Sequence, residues 1–414
     1  MKTMSPLYFF AFFLLFFGCR NSNTDSDGIP YHAHFEMINI DPQQSISLRT
    51  SDFVESVQFI ALETIQGSEL SEIAQIESLS DRYIILDRNT SQILFFTKEG
   101  KFLKKISPDS KGLPYRYKKI PCFTIDRAQK KIYFNDLESS YKFEFNLDGI
   151  FLRMYPKDKI DYLIRESHYL NDFRINYFAY KSSPEKEKMP HNIVVFKDDA
   201  LMHSYLPFNP TVIDRYDVYG SNRYFFESSD KLFFTKPYDE TVYCFDDSGE
   251  MLQAFRFKFP DSLRIPKDFT SSLEYLGGRK SFIKKNSNKI YLITNFFQTG
   301  ENLIFKLVGG AFSDQFIYDL SNKSLVSLTN YLSDSTTNFL PVFGRNIIDV
   351  DTDMVLSALP AKQFVNLINN HSKHGGNIHA LPTEMQKIYN QGNDQNPILL
   401  LTKFKEEISY ASKY

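Results

Sequence analysis

The sequence predicts an all-β fold, a six-bladed β-propeller, from two observations. An apolar run, a tight charged turn and a second apolar run recur, with turn positions Gly100, Gly149, Ala200 and Gly249 spaced 49, 51 and 49 residues apart. A period near fifty is typical of folds that repeat a four-stranded sheet. Phe (40) and Tyr (25) dominate the aromatic residues and Trp is absent, which favours strands over helices.

Size and charge narrow the choice further. The 414 residues, 42% of them hydrophobic, suffice for one large closed all-β domain. The formal net charge of −2 leaves no excess of positive charge to attract phosphates, so we expect no nucleic-acid partner.

The N-terminus predicts export. Lys2 precedes an apolar run of eleven residues, 7–17, which is too short to span a bilayer but suits a signal-peptide core. Gly18-Cys19 follows, and this junction resembles the lipobox of bacterial lipoproteins, although Phe16 stands where that motif prefers Leu. We therefore predict a signal peptide at 1–18, lipidation at Cys19 and a tether over 19–44; the alternative is an ordinary secretory signal.

Two further cysteines, Cys122 and Cys244, lie in different repeats, each beside apolar residues. Export makes a disulfide conceivable, but the spacing favours two buried free thiols.

The first four repeats follow one order. A strand at 53–62 has no hairpin partner and precedes them. Buried strands then come before each charged hairpin. They are indicated by runs that are apolar on both faces or that alternate between apolar and polar residues. The main predicted strands are 83–87 followed by the hairpin 93–103 for the first unit, 122–126 and 131–136 for the second, 174–180 for the third, and 224–227 and 231–236 for the fourth.

The last two units depart from this order. The fifth is predicted to use strands 281–283, 289–294 and 316–320 after an inserted surface loop at 261–278. The sixth has strands at 339–350, 354–359 and 397–404, with helices at 361–370 and 383–390. Its fourth strand is missing unless 53–62 supplies it, and that pairing would close the ring. The propeller thus spans 45–406, with a helical insertion at about 360–392 and a tail at 407–414.

The blade at 83–106, with its turn at 98–102, and the closing strand at 396–401 resemble the six-bladed β-propeller lipoproteins of Gram-negative bacteria, related in fold to NHL-repeat propellers. The resemblance covers 45–406. It implies an outer-membrane lipoprotein on the periplasmic or surface face, with no particular activity. Relatives usually carry Gly-Pro-Gly-Glu-Tyr/Phe after the first blade; the stretch 111–117 here keeps one Gly, Pro114 and Tyr115 but has Arg116 in place of Glu.

Known catalytic and metal motifs are weak in this chain. The Gly-x-Ser-x-Gly, Walker, dinucleotide and His-Glu-x-x-His patterns are absent from the sequence. Asp349, Asp351 and Asp353 resemble the start of a calcium loop but lack its Gly and Glu, so a solvated hairpin turn is the expectation. Three histidines could surround zinc or copper, but a polar interhelix loop is favoured, and we predict no cofactor; they are His371, His374 and His379.

Propeller ligands bind where loops of several blades meet at one end of the central channel. We expect ligand-binding residues just past the innermost strands and in the loop after the first blade. Turn formation is the alternative role for each of them. The predicted residues are Asp87, Arg88, Tyr115, Arg116, Asp136, Lys236, Tyr238 and Asn295.

Two functions remain open. The first is a monomeric, membrane-anchored binding or interaction module whose ligand is a glycan, a peptide or an envelope protein. The second is a glycan-cleaving lyase or hydrolase. Two carboxylates converging in the channel, about 5 to 10 Å apart, would favour the second.

Overall fold

A computed structural model describes residues 35–109, 116–182, 190–228, 231–373 and 378–410. Six sheets form the blades of a β-propeller, which confirms the predicted fold class. Five blades contain four consecutive strands, and the last combines three consecutive strands with one from near the N-terminus. The first strands of neighbouring blades contact one another, so these strands line the central channel. The recurring turns at Gly100, Gly149, Ala200 and Gly249 join the third and fourth strands of blades I to IV, as the repeat predicted.

The strands are numbered in chain order, and the blades run from the innermost strand outward. Blade I is β3 to β6, Gln75–Ser78, Arg82–Asp87, Gln92–Thr97 and Phe102–Ile106. Blade II is β7 to β10, Thr124–Asp126, Lys131–Asn135, Tyr141–Asn146 and Phe151–Pro156. Blade III is β11 to β14, Glu166–Leu170, Phe173–Tyr177, His191–Lys197 and Ala200–Pro207.

Blades IV to VI complete the ring. Blade IV is β15 to β18, Phe225–Ser228, Lys231–Phe234, Thr241–Phe245 and Met251–Lys258. Blade V is β19 to β22, Ile290–Thr299, Asn302–Gly309, Ser313–Asp319 and Ser324–Ser327. Blade VI is β23, β24, β25 and β2, Ile347–Asp351, Met354–Leu359, Ile398–Phe404 and Val54–Ala61.

The two extremities of the ordered fold close the ring. Strand β2 pairs antiparallel with β25, from Val54 opposite Phe404 to Ala61 opposite Ile398. Buried Asn396 holds the adjoining loop, because its side-chain amide donates to the carbonyls of Glu63 and Ser68, each at 2.8 Å. The pairing leaves blade VI with four strands although the chain supplies only three of them consecutively.

A further strand precedes the ring. Strand β1, Glu36–Asn39, pairs in parallel with the outer strand β18 of blade IV. It lies within the range predicted as tether, so ordered structure begins before residue 45. Beyond residue 406, Ile408 is buried and the Tyr410 hydroxyl donates to Asp319 at 2.8 Å, so part of the predicted tail packs on the propeller.

Short helices occur at three places. Helix α1 is Thr50–Phe53, and the predicted C-terminal insertion contains α3, Ala361–Lys373, and α4, Thr383–Gln391. The prediction of a strand at 281–283 is wrong, because these residues belong to α2, Arg279–Lys285. Strand β19 is therefore the first strand of blade V, and the insertion before it extends from the end of β18 through α2.

Apolar clusters join five of the six pairs of neighbouring blades. One cluster spans blades I and II, a second spans III and IV, a third joins IV, V and VI, and a fourth joins VI to I. Among the described residues, no such cluster bridges blades II and III. The packing that holds a propeller together is thus interrupted at one boundary.

Cys122 and Cys244 are free thiols in the structure, as the spacing predicted, and burial raises the pKa of each to about 11. Within the described ranges, every helix is too short or too polar to traverse a lipid bilayer.

Candidate functional site

Blade II has one apolar face and one polar face. Along β8, Ile132 and Phe134 pack into the cluster shared with blade I, whereas Lys131, Tyr133 and Asn135 alternate with them on the other face. Side chains alternate between the faces of a strand, so the polar set points toward blade III. Strands β9 and β10 continue this face with Lys142, Glu144, Arg153 and Tyr155.

Blade III also has a polar face, and this face lies opposite that of blade II. Phe173, Ile175 and Tyr177 of β12 pack toward blade IV, which leaves Arg174 on the side of blade II. The rings of Tyr133 and Tyr169 stack across the boundary with centroids 5.3 Å apart. Near the channel, the Thr124 hydroxyl donates to the carbonyl of Ser167 at 2.9 Å.

These two faces enclose a cleft of about 940 Å³ between blades II and III. We call it the II/III cleft. Its lining combines aromatic rings with charged side chains, and a site of this size is within the usual range for ligand pockets. The lining includes Tyr133, Tyr155, Tyr162, Tyr169, Lys142, Arg153, Arg174 and Glu166.

A buried carboxylate organises the cleft wall in blade II. Glu144 is 2% exposed and forms ion pairs with Lys131 at 2.8 Å and Arg153 at 2.7 Å, and it accepts a hydrogen bond from the Tyr155 hydroxyl. Burial raises the pKa of Glu144, but these three partners outweigh it and hold the pKa below its usual value. The charged wall is therefore satisfied without a ligand.

The channel holds a second charged group. One guanidinium nitrogen of Arg127 lies 3.0 Å from Glu227 and 3.7 Å from Glu77. Arg223 lies 3.3 Å from Glu77 and 3.9 Å from Asp349. Carboxylates thus converge on the channel axis, each paired with arginine.

Two carboxyls near the channel have raised pKa values. Burial raises the pKa of Glu166 to about 7 against the opposing effect of Arg223, and its Oε2 accepts the Tyr224 amide hydrogen at 2.8 Å. Burial and the nearby Glu77 raise the pKa of Asp349 to about 7 as well. Both groups thus exchange protons near neutral pH, but only Glu166 lines the II/III cleft.

The predicted ligand residues do not follow the innermost strands. Asp87 ends β4 and Asp136 follows β8, so both come after the second strand of a blade, and the expected placement is wrong. Both are fully buried. Asp87 accepts from the Ser71 amide at 2.7 Å, and Asp136 accepts from the Lys119 amide at 2.8 Å.

The two predicted residues after the second strand of blade IV also make contacts within the protein. Lys236 follows the second strand β16 and forms an ion pair with Asp239 at 2.6 Å. Tyr238 is buried and its ring packs edge-on against Phe269 of the insertion, with centroids 4.9 Å apart. The loops after second strands and between blades lie at one end of the propeller, which we call the upper face.

The remaining predicted residues are dispersed. Arg88 donates to Asn222 at 3.0 Å, which links blade I to the linker before blade IV, and exposed Arg116 lies 3.7 Å from Asp109. Asn295 is inside β19, at positive φ in a bulge, and donates to the Ile347 carbonyl. Tyr115 and Cys19 lie outside the described residues. The ligand-binding role of this set stays a prediction.

Among the described residues, no three potential metal ligands group together. His371 lies in α3 and His379 in a short 3-10 turn, while His374 is outside the described ranges. Residues 352 and 353 form an exposed hairpin turn between β23 and β24, as predicted. The flanking carboxylates are not solvated as expected, because Asp349 is buried in the channel and Asp351 pairs with Lys98 at 2.7 Å.

Sequence reasoning missed the II/III cleft, although a signal for it exists. Blade I reads Ile-Ile-Leu and Leu-Phe-Phe, apolar on both faces, as a strand packed between two blades should. Blade II reads Lys-Ile-Tyr-Phe-Asn and Tyr-Lys-Phe-Glu-Phe-Asn, with strict alternation. In a propeller, where every blade has two neighbours, such alternation marks a boundary that is not apolar.

Comparisons with known proteins identify a family and a solved structure of similar fold. A family model described as a domain of unknown function, DUF4934, matches residues 35–403. No curated protein matches the chain. A crystal structure from Bacteroides fragilis, described as a candidate exported protein, is 17% identical with a TM-score of 0.68, covering 90% of this chain and 100% of its own. A DUF4221 member from Bacteroides vulgatus is 11% identical with a TM-score of 0.47, covering 88% and 99%.

Proposed function

This chain belongs to the DUF4934 family, and we propose that it is an exported, membrane-anchored β-propeller that binds a carbohydrate in the II/III cleft. The observation that carries the proposal is the replacement of apolar packing between two blades by a cleft of about 940 Å³ lined with tyrosines and charged side chains. The propeller fold does not itself require a polar boundary, because apolar clusters join the other five pairs of neighbouring blades.

The chemistry of the cleft favours a sugar over a peptide. Tyrosine combines a flat apolar ring with a polar hydroxyl, so it suits ligands that have an apolar face and many hydroxyls. Arg153 and Asn135 line the cleft and supply hydrogen-bond donors and an acceptor. Both blades present the faces of their sheets to the cleft. A peptide that binds as an added strand needs the unpaired backbone of a sheet edge, which a sheet face does not offer.

Export and membrane anchoring are supported by the N-terminal sequence and by one similar structure rather than by the cleft. The apolar run at 7–17 and the Gly18-Cys19 junction suit a lipoprotein signal, and the Bacteroides fragilis structure of the same fold is described as a candidate exported protein. Cells expressing the protein with Cys19→Ala should release it from the membrane fraction, whereas the unchanged protein should stay membrane-bound. Release of both forms would refute the anchor.

Ligand binding is tested by calorimetric titration of a panel of neutral and acidic oligosaccharides and of mixed peptides. We expect one oligosaccharide class to bind, and Tyr169→Ala to weaken that binding by about tenfold or more through loss of its stacking surface. Phe339→Ala, which removes an aromatic ring that is 58% exposed beside the helical insertion, is the matched control. Binding of peptides alone, or equal binding by both variants, would contradict the proposal.

A second function, glycan cleavage, has one specific observation in its favour. Glu166 lines the cleft and has a pKa of about 7, so its carboxyl is partly protonated at neutral pH, as a general acid requires. The test is release of reducing ends from the oligosaccharide that binds. Loss of cleavage in Glu166→Gln with binding retained would establish an enzyme. Binding without any cleavage by the unchanged protein would mean that it is a binding protein only.

A further inference from the structure

The II/III cleft is charged unevenly along its length. At its lower end, the turns of blade III contribute Asp172, Asp198 and Asp199. At the upper face, the linkers and loops contribute Lys157, Arg165, Lys181 and Arg215, which we call the upper cation cluster. The cleft therefore has an acidic end and a basic end.

The acidic end is balanced by its own ion pairs. Asp199 lies 3.2 Å from Arg174, and Asp172 lies 3.6 Å from Lys197. The upper cation cluster has no such balance, because none of its four members forms an ion pair with a carboxylate in the described ranges. The nearby carboxylate of Asp161 is already paired with Lys142 at 2.8 Å.

The members of the cluster contact neutral groups instead. Arg165 donates to the Ser221 carbonyl at 2.8 Å, and Lys157 donates to the Ser139 carbonyl at 2.7 Å. Lys181 reaches the Tyr162 carbonyl at 3.4 Å, and the Arg215 guanidinium lies over the Tyr216 ring at 4.4 Å from its centroid. These contacts hold the side chains at the cleft without neutralising them.

The four charges act on one another. Burial first, and then the charges of Arg215, Arg165 and Lys157 in that order, together lower the pKa of Lys181 to about 8. Three positive charges thus act on the ammonium group of Lys181, and no carboxylate of the described residues offsets them there. Glu166, at the inner end of the cleft, favours the charged form of Arg165 but is not paired with Lys181. Fixed like charges held together in a partly closed cavity create a positive potential that an anion would relieve.

We propose that the upper cation cluster is an anion subsite, and that the carbohydrate bound in the II/III cleft carries a carboxylate or sulfate group. This rests on the proposed function, since the sugar ring would occupy the tyrosine-lined part of the same cleft. Arginine and lysine bind both anions through charge-assisted hydrogen bonds. The acid group would sit at the upper face, and the neutral part of the chain would extend toward Tyr133 and Tyr169.

The test titrates the protein with four probes: trigalacturonate, a sulfated galactose trisaccharide, neutral galactotriose and inorganic sulfate. The unchanged protein should bind at least one acidic trisaccharide about tenfold or more tighter than galactotriose, with weaker binding at higher salt. The double variant Lys181→Gln/Arg215→Gln should lose that preference. Both positions are at the surface of the cleft, so its melting temperature should stay near that of the unchanged protein.

The matched control removes two lysines elsewhere. Lys104→Gln/Lys105→Gln changes the outer strand β6 of blade I, away from the cleft, and should keep the preference for acidic sugars. If this control loses the preference to the same extent, binding is unspecific attraction to net charge and the subsite is refuted.

The probes separate the two proposals. Equal affinity for galactotriose and the acidic trisaccharides, lost in Tyr169→Ala, would overturn the anion subsite and keep carbohydrate binding. Inorganic sulfate binding that Lys181→Gln/Arg215→Gln abolishes, without binding of any trisaccharide, would keep the subsite and overturn the carbohydrate. Binding of none of the four probes would overturn both.

Discussion

The rings of Tyr133 and Tyr169 stack across the boundary between blades II and III with an interplanar angle of 28°. Tyr133 is the neighbour in sequence of Phe134, whose ring stacks on Phe143 and Phe145 on the opposite face of the same sheet. One strand therefore faces the II/III cleft on one side and an apolar core on the other.

This arrangement predicts different costs for truncating adjacent residues. Phe134→Ala should lower the free energy of unfolding by about 3–5 kcal/mol, because it leaves a cavity in the cluster between blades I and II. Tyr133→Ala should cost about 1 kcal/mol, because its ring borders open space. Urea unfolding of both variants measures the difference, and equal costs would mean that the boundary between II and III is packed.

Gly100 lies in the turn of the first hairpin, where this turn packs against the end of strand β2. Its φ is +84°, and a Cβ at this position would lie 2.1 Å from the Ala61 carbonyl oxygen. We expect Gly100→Ala to destabilise the protein by about 3 kcal/mol or more, since both strain and a backbone clash oppose it. Gly300→Ala, at φ +56° with no atom within 4 Å, should cost about 1 kcal/mol from strain alone. Thermal unfolding compares them; similar losses would refute the close approach.

Arg279 fixes the insertion before blade V. Its side chain is fully buried, lies 2.6 Å from Asp217 and donates to the Phe269 carbonyl at 2.7 Å. Arg279→Met should cost about 3–5 kcal/mol, because it leaves Asp217 buried without its partner. The control is Arg264→Met in the same insertion, which breaks a partly exposed ion pair with Glu240 of blade IV and should cost about 1 kcal/mol or less. Stability and limited proteolysis of the insertion report the outcome.

Glu166 predicts a specific dependence of stability on pH. Its pKa is raised from 4.5 to about 7, chiefly by burial. The folded state thus holds this proton more tightly than the unfolded state, and the stability that it contributes is lost as pH rises from about 4.5 to 7. Relative to the unchanged protein, Glu166→Gln should gain about 1 kcal/mol between pH 5 and pH 8, a value discounted because the carboxyl is partly open to the cleft.

The control for that experiment is Glu384→Gln, which removes an exposed carboxylate from α4. Its stability difference from the unchanged protein should stay level over the same range. A difference for Glu166→Gln that is flat, or that falls with rising pH, would show that this carboxyl has no raised pKa.

Local sequence patterns determined the architecture of this protein. The turns at Gly100, Gly149 and Gly249 and the apolar runs beside them predicted the blades, because hairpins form from contiguous residues with the right turn chemistry. The unpaired strand at 53–62 and the last strand predicted closure, since pairing them completes the sixth sheet and leaves neither strand unpaired. The same reasoning failed at 281–283, where packing of a long insertion placed three residues in a helix.

The tertiary structure alone decided where the candidate site lies. Asp87 and Asp136 have the same local sequence setting as ligand-binding loop residues, but the burial of their carboxylates among backbone amides is visible only in three dimensions. Lys157, Arg165, Lys181 and Arg215 belong to three separate connections and share no motif. They meet because two consecutive blades stand side by side, and the positive potential they create depends on distances in space, which residue order does not specify.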